Sequence, residues 1–159
     1  MKTIDPVYKN IWLAEDDLDD QEIFDDALKQ ILPNALLTMA ANGEELLKKL
    51  NAAAEVPDIL FLDINMPYQN GLSCLVEIRI NRRFSKLPIV MFTGSQSPMD
   101  MEKAYDNGAN LYYTKPASIK ELMEGLADLC KMNWEDPFTI TRNHFVNNKY
   151  TTFVPAKRM

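Results

Sequence analysis

Short apolar runs alternate with amphipathic stretches along most of the 159 residues. Residues 10–14 (Asn-Ile-Trp-Leu-Ala) read as a strand that runs straight into Glu15-Asp16-Asp17. From 19 to 31 the apolar residues Ile23, Phe24, Ala27, Leu28 and Ile31 form one stripe of a helix, which Pro33-Asn34 closes. Residues 35–40 are a second apolar run, and Asn42-Gly43 breaks it before a helix over 44–53. Residues 58–63 hold the most continuous apolar run, Ile59-Leu60-Phe61-Leu62, which suits a central strand buried on both faces. A helix over 72–80, a strand over 88–92, a weaker helix over 98–107 stopped at Gly108, and a strand over 109–114 follow. The last helix, 118–132, opens on a Ser118 and Glu121 capping box.

Five strand–helix pairs in this order imply right-handed crossovers and a parallel sheet. The predicted class is α/β, doubly wound, five strands, with helices on both faces. Residues 1–134 make the domain. Residues 135–159 fall outside the pattern and read as a C-terminal tail without a second domain. The tail is basic on balance and holds Phe138, Phe145, Tyr150 and Phe153, which suggests docking, either on its own domain or on a partner.

Composition narrows the function. Apolar residues make up 47% of the chain and charged residues 25%, both ordinary globular values. With 17 Lys and Arg against 23 Asp and Glu the net charge is −6, which argues against a general nucleic-acid binder. Cys74 and Cys130 lack metal-like spacing, so a disulfide framework is not expected and a reducing compartment fits. No apolar run reaches the roughly 18 residues that span a bilayer, and a soluble cytoplasmic protein is predicted. The single histidine, His144, excludes a multi-histidine metal site, argues against a Ser-His-Asp enzyme and reads as a surface residue.

In an open parallel sheet, ligands bind outside the carboxyl ends of the strands. Strand one ends at Glu15-Asp16-Asp17, strand three at Asp63, strand four at Thr93 and strand five at Lys115. Acids crowded at one edge repel, and a hard divalent cation such as Mg²⁺ relieves the repulsion. A lysine and a hydroxyl beside them can hold an anion. The set suits phosphoryl transfer to an aspartate, where positioning and charge neutralisation carry most of the catalysis. Asp19, Asp20, Asp25 and Asp26 read as a solvated helix face, with Asp17 open between that and the site.

The pattern resembles the receiver domain of two-component response regulators over roughly residues 8–132. Glu15-Asp16, Asp63, Thr93 thirty residues on and Lys115-Pro116 twenty-two further carry the resemblance, with Asp63-Ile64-Asn65-Met66-Pro67 and Gly71. It implies a flavodoxin-like strand order, 2-1-3-4-5. It also implies that Asp63 takes the phosphoryl group, that Asp16, Asp63, the Asn65 backbone carbonyl and, mainly through water, Glu15 hold Mg²⁺, and that Thr93 and Lys115 bind the phosphoryl oxygens. Tyr112 takes the switch aromatic position, and Lys115-Pro116 is expected to be a cis bond. Asn65 and Ser95, two residues beyond Asp63 and Thr93, occupy positions that in this family govern the attacking water.

The implied partners are a histidine kinase or phosphotransfer protein and a downstream protein, with no nucleic acid and no membrane. The protein would catalyse only its own phosphorylation and dephosphorylation. Output is expected on the helix-four, strand-five, helix-five face, carrying Met99, Met101, Leu111 and Met123, with the tail packed beside it as a gate or merely a frayed end. A phosphorylation-independent module of the same fold is the rival reading. A haloacid dehalogenase-type hydrolase is the third, and its Asp-x-Asp belongs after strand one, whereas here the lone aspartate ends strand three.

Overall fold

The structure is a computed structural model and describes residues 9–156. Its strands are β1 (Asn10–Ala14), β2 (Leu36–Ala40), β3 (Ile59–Leu62), β4 (Ile89–Thr93) and β5 (Leu111–Thr114). The helices between and after them are α1 (Leu18–Ile31), α2 (Gly43–Ala52), α3 (Gly71–Ile80), α4 (Pro98–Asp106) and α5 (Ile119–Lys131). The five strands are parallel in the order β2-β1-β3-β4-β5, as expected.

Side chains alternate across the sheet because a strand repeats every two residues. Trp12, Ala14, Leu60, Leu62, Met91 and Tyr112 face α2, α3 and α4, where Leu46, Leu50, Leu75, Ile78 and Tyr105 meet them. Ile11, Leu13, Ile59, Phe61, Val90, Phe92, Leu111 and Tyr113 face α1 and α5, against Phe24, Leu28, Leu122 and Leu126. Phe24 packs edge-on to Phe61 at 5.1 Å and to Phe92 at 5.6 Å. Each such pair contributes about 0.5–1.5 kcal/mol beyond its buried area and fixes α1 over β3 and β4. Leu111, expected on the output face, is wholly buried here, because at the start of β5 its side chain points into the layer under α1 and α5.

The helices start where short polar side chains cap them. Asn42, Asn70, Ser97 and Ser118 each accept the amide three residues on, as Asp17 does for α1. Such a cap is worth about 1 kcal/mol and settles where each loop ends, which matters here because four loops carry the candidate site.

Residues 135–156 are more ordered than a tail. Pro137–Asn143 form a helix, α6, with Asp136 before it and Pro137 in its first turn. Phe145–Val146 (β6) and Lys149–Tyr150 (β7) pair as a hairpin, turned by Asn147 (φ 53°) and Asn148 (φ 61°). Two successive left-handed residues define a type I′ turn, and asparagine tolerates them best after glycine. The segment then crosses the open edge of β5. The Phe153 amide donates to the Tyr112 carbonyl (2.7 Å), and the Phe153 ring packs edge-on to Tyr113 at 5.0 Å. On the α4 side Tyr150 stacks on Tyr105 at 4.5 Å, and on the α5 side the Ala156 amide donates to Asp128 (2.8 Å). An exposed strand edge invites pairing with other chains, and this segment covers it.

No helix among the described residues is long and apolar enough to cross a membrane. Cys74 and Cys130 are both free thiols.

Candidate functional site

The carboxyl ends of β1, β3, β4 and β5 bring the expected residues to one edge of the sheet. Asp63 leaves β3 with its amide bonded to the Ala14 carbonyl (3.1 Å), which holds it level with the end of β1. It is 4% exposed. Gly71 follows from the same geometry. A Cβ there would lie 2.0 Å from the Asp63 carbonyl oxygen, so only glycine lets α3 start this close under the loop.

Glu15 is 1% exposed, and its Oε2 accepts the Asp17 amide (3.2 Å). Asp16 is exposed beside it. Carboxylate oxygens of Glu15, Asp16 and Asp63 all lie within 4.8 Å of one another. Burial pushes the Glu15 carboxyl up to about 8, with the Lys115 ammonium pulling the other way and the Asp63 charge adding to the rise. The Glu15 Oε1, shielded from solvent, has that ammonium as an ion-pair partner but no regular hydrogen bond. A buried carboxylate short of donors among other carboxylates is a fit for a hard divalent cation, which prefers oxygen ligands.

Lys115 reaches in from β5. Its ammonium pairs with Glu15, with Asp20 Oδ2 at 2.8 Å and with Asp63 Oδ2 at 3.1 Å. Burial works to lower its pKa, but its pairing with Asp20, Glu15 and Asp63 outweighs it and the ammonium is held well above its usual range. Thr93 is wholly buried at the end of β4, and its Oγ1 accepts the Ser95 amide (3.3 Å). Asn65 lies exposed on the loop, its amide donating to Asp63 Oδ1 at a long 3.4 Å. Tyr112 points inward, and its hydroxyl donates to the Ser95 carbonyl (2.9 Å). Ser95 thus links Thr93 to Tyr112, and its own hydroxyl donates to Asp100 of α4 (2.6 Å).

Two expectations change. There is no cis peptide among the described residues, so Lys115–Pro116 is trans. The two forms before proline differ by only about 0.5–1 kcal/mol, so residue type allows either. Here the trans chain already lets the Lys115 amide bond the Thr93 carbonyl (2.8 Å) while its ammonium meets all three carboxylates. Asp20, read as solvated, is the second change. It sits in the first turn of α1 and bonds Lys115 instead. Its neighbour Asp17 is a helix cap, accepting the Asp20 amide (3.0 Å). His144 lies far along the chain at the end of α6, its Nδ1 against the Ile140 carbonyl (3.0 Å).

Known proteins are similar to this chain in sequence and fold. Residues 11–127 match the family described as response regulator receiver domain. The chain is 28% identical over 121 residues to response regulator Rcp1 of Synechocystis sp., covering 73% of this chain and 82% of that protein. It is 32% identical over 106 residues to chemotaxis protein CheY1 of Helicobacter pylori, covering 62% of this chain and 85% of CheY1. Among solved structures, the phosphorylated cyanobacterial phytochrome response regulator RcpA overlays with a TM-score of 0.71 at 27% identity, covering 77% of this chain and 91% of that one.

Proposed function

Because the chain belongs to the response regulator receiver family, we propose that it is a cytoplasmic receiver phosphorylated on Asp63 by a histidine kinase or phosphotransfer protein. The observation that carries this is the Lys115 ammonium 3.1 Å from Asp63 Oδ2, with Glu15 and Asp16 beside them. Residues 9–134 form the receiver and residues 135–156 an appendage docked on it.

In the reaction, an Asp63 carboxylate oxygen forms a bond to phosphorus as the bond from phosphorus to the donor's imidazole nitrogen breaks, and the imidazole keeps the leaving electron pair. Glu15, Asp16, Asp63 and the Asn65 carbonyl would hold Mg²⁺, which when bound neutralises charge on the phosphoryl oxygens. Lys115 moves its ammonium onto one phosphoryl oxygen. Thr93 donates its hydroxyl to another. Asn65 and Ser95 flank the approach of the water that later hydrolyses the acyl phosphate, so they tune its lifetime. The protein catalyses its own loading and unloading and turns over no separate substrate.

Incubation with acetyl phosphate and Mg²⁺ adds one phosphoryl mass to the wild type and none to Asp63→Asn. Labelling that persists in the variant overturns the assignment. Labelling absent from both favours the phosphorylation-independent module instead.

Output follows from what Thr93 touches. Drawing Thr93 toward a phosphoryl group disturbs the Ser95 amide and, through the Ser95 carbonyl, the Tyr112 hydroxyl. Tyr112 is also held from outside. Its amide donates to the Tyr105 hydroxyl (3.0 Å), which in turn donates to the Thr151 carbonyl (2.8 Å). The face formed by α4, β5 and α5 therefore reports to a downstream protein, and the segment across it gates access. Beryllofluoride should change hydrogen exchange across 93–131 and into 145–156. Changes confined to the loop after Asp63 leave the switch unsupported, and an unchanged tail removes it from the mechanism.

A further inference from the structure

The Lys115 ammonium has three N–H donors and meets three carboxylates, but those carboxylates are not equivalent. Glu15 and Asp63 belong, with Asp16, to the group able to hold a cation. Asp20 lies outside that group, on α1, and at 2.8 Å it is nearer the ammonium than Asp63 at 3.1 Å. Lys115 therefore has two partners that a divalent cation would claim and one that it would not.

Asp20 is also held where it is. Asp17 caps α1 by accepting the Asp20 amide (3.0 Å), which fixes the backbone of the first turn. A carboxylate in that turn is favoured by the helix dipole. Its side chain is about a third exposed, and Lys115 is 19% exposed, so this pair is screened less than one on the open surface.

An ammonium and a divalent cation repel when they share ligands. When a cation takes Glu15 and Asp63, its charge repels the Lys115 ammonium from both. Without another anion it would stay on them as a competitor or be left half-buried and unpaired, and both weaken cation binding. We infer that Asp20 is a positioning residue that takes over the Lys115 ammonium as the cation binds, keeping the lysine beside Asp63 but off the cation's ligands. This rests on the reading of the acidic cluster as a Mg²⁺ site. It goes beyond that reading in giving a role to a side chain that touches neither the cation nor the phosphoryl group.

Titration calorimetry of the full chain with Mg²⁺ alone, without phosphodonor, tests it. Asp20→Asn should bind about 3- to 10-fold more weakly than wild type, the range expected for a partly buried ion pair. Asp20→Glu should recover most of the loss. Lys115→Met should bind more tightly than wild type, and adding Asp20→Asn to it should change affinity by less than about twofold, because the residue acts through the lysine. An equal loss in both backgrounds overturns the inference, since Asp20 then acts only as a nearby charge. Unchanged affinity in Asp20→Asn overturns it as well, with the Mg²⁺ site intact. No Mg²⁺ binding by the wild type sinks the site and the inference together. Circular dichroism of each variant separates these results from unfolding, and Asp20→Asn leaves the cap at Asp17 in place.

Discussion

Two cations sit at opposite ends of the sheet, and their surroundings differ in kind. At the amino end, Arg79 donates to the Gly108 carbonyl, the Phe84 carbonyl and Asn110 Oδ1, each at 2.8 Å, with its guanidinium 5.3 Å from the Phe138 ring centre. No carboxylate takes part in those contacts. Burial pushes its pKa down to about 10, so it remains charged at neutral pH. Asn110, wholly buried, also accepts the Ile89 amide (2.8 Å), and its carbonyl accepts the Thr141 hydroxyl of α6 (3.0 Å). At the carboxyl end, three carboxylates pair with one ammonium, and a fourth, Asp16, lies within 4.8 Å of two of them. The first arrangement is a finished solvation shell built from neutral dipoles and locks β4, β5, α3 and α6 together. The second carries surplus negative charge and is completed only by something from outside. Ion pairing alone does not mark the functional end; unbalanced charge does.

The contrast is sharpest where one substitution at each end is compared. Asp63→Asn should abolish phosphoryl incorporation, read as intact mass, while urea unfolding in chelator shows no loss of stability, since one of several crowded charges is gone. Arg79→Leu should do the reverse. It takes a charged donor from three oxygens, of which Asn110 Oδ1 keeps the Ile89 amide and the Phe84 carbonyl the Leu87 amide, and should cost about 2–3 kcal/mol in urea unfolding, with the folded fraction still phosphorylated. Loss of phosphorylation without loss of stability in Arg79→Leu would erase the distinction between the ends.

Mg²⁺ should matter at one end only. Millimolar Mg²⁺ should stabilise the wild type by about 1–2 kcal/mol, a few degrees in Tm, by mass action. Asp16→Ala should remove most of that gain and Arg79→Leu none of it. A Tm indifferent to Mg²⁺ would leave the acidic end without its counter-ion.

The smallest effect is in pH. Folding raises the Glu15 carboxyl from 4.5 to about 8, chiefly by burial. The folded chain then holds a proton that the unfolded chain has released, so the stability this group contributes is full below 4.5 and is lost as pH rises through about 8. In chelator the Tm should fall across that window, and Glu15→Gln should flatten the fall. Mg²⁺ should stabilise more at the alkaline side, because it binds the carboxylate and not the acid.

Much of this was readable in the chain because the relevant physics is local. Apolar runs such as Ile59–Leu62 have no stable home but a buried strand, and helical stripes such as Phe24, Ala27 and Leu28 fix which face turns inward. A parallel sheet then places Glu15, Asp63, Thr93 and Lys115 at one edge, whatever their separation in sequence. The hairpin at 145–150 escaped notice because two-residue strands show no period, although Asn147-Asn148 is a turn signal. Lys115–Pro116 needed the tertiary structure, since proline permits both isomers at similar energy. So did Asp20. An acid in the first turn of a helix is favourable on its own account, so its residue type says nothing about a partner 95 residues away. Contacts made by the chain's own periodicity are decided residue by residue. Which carboxylate an ammonium chooses, and which edge the last segment covers, depends on distances that only the assembled sheet creates.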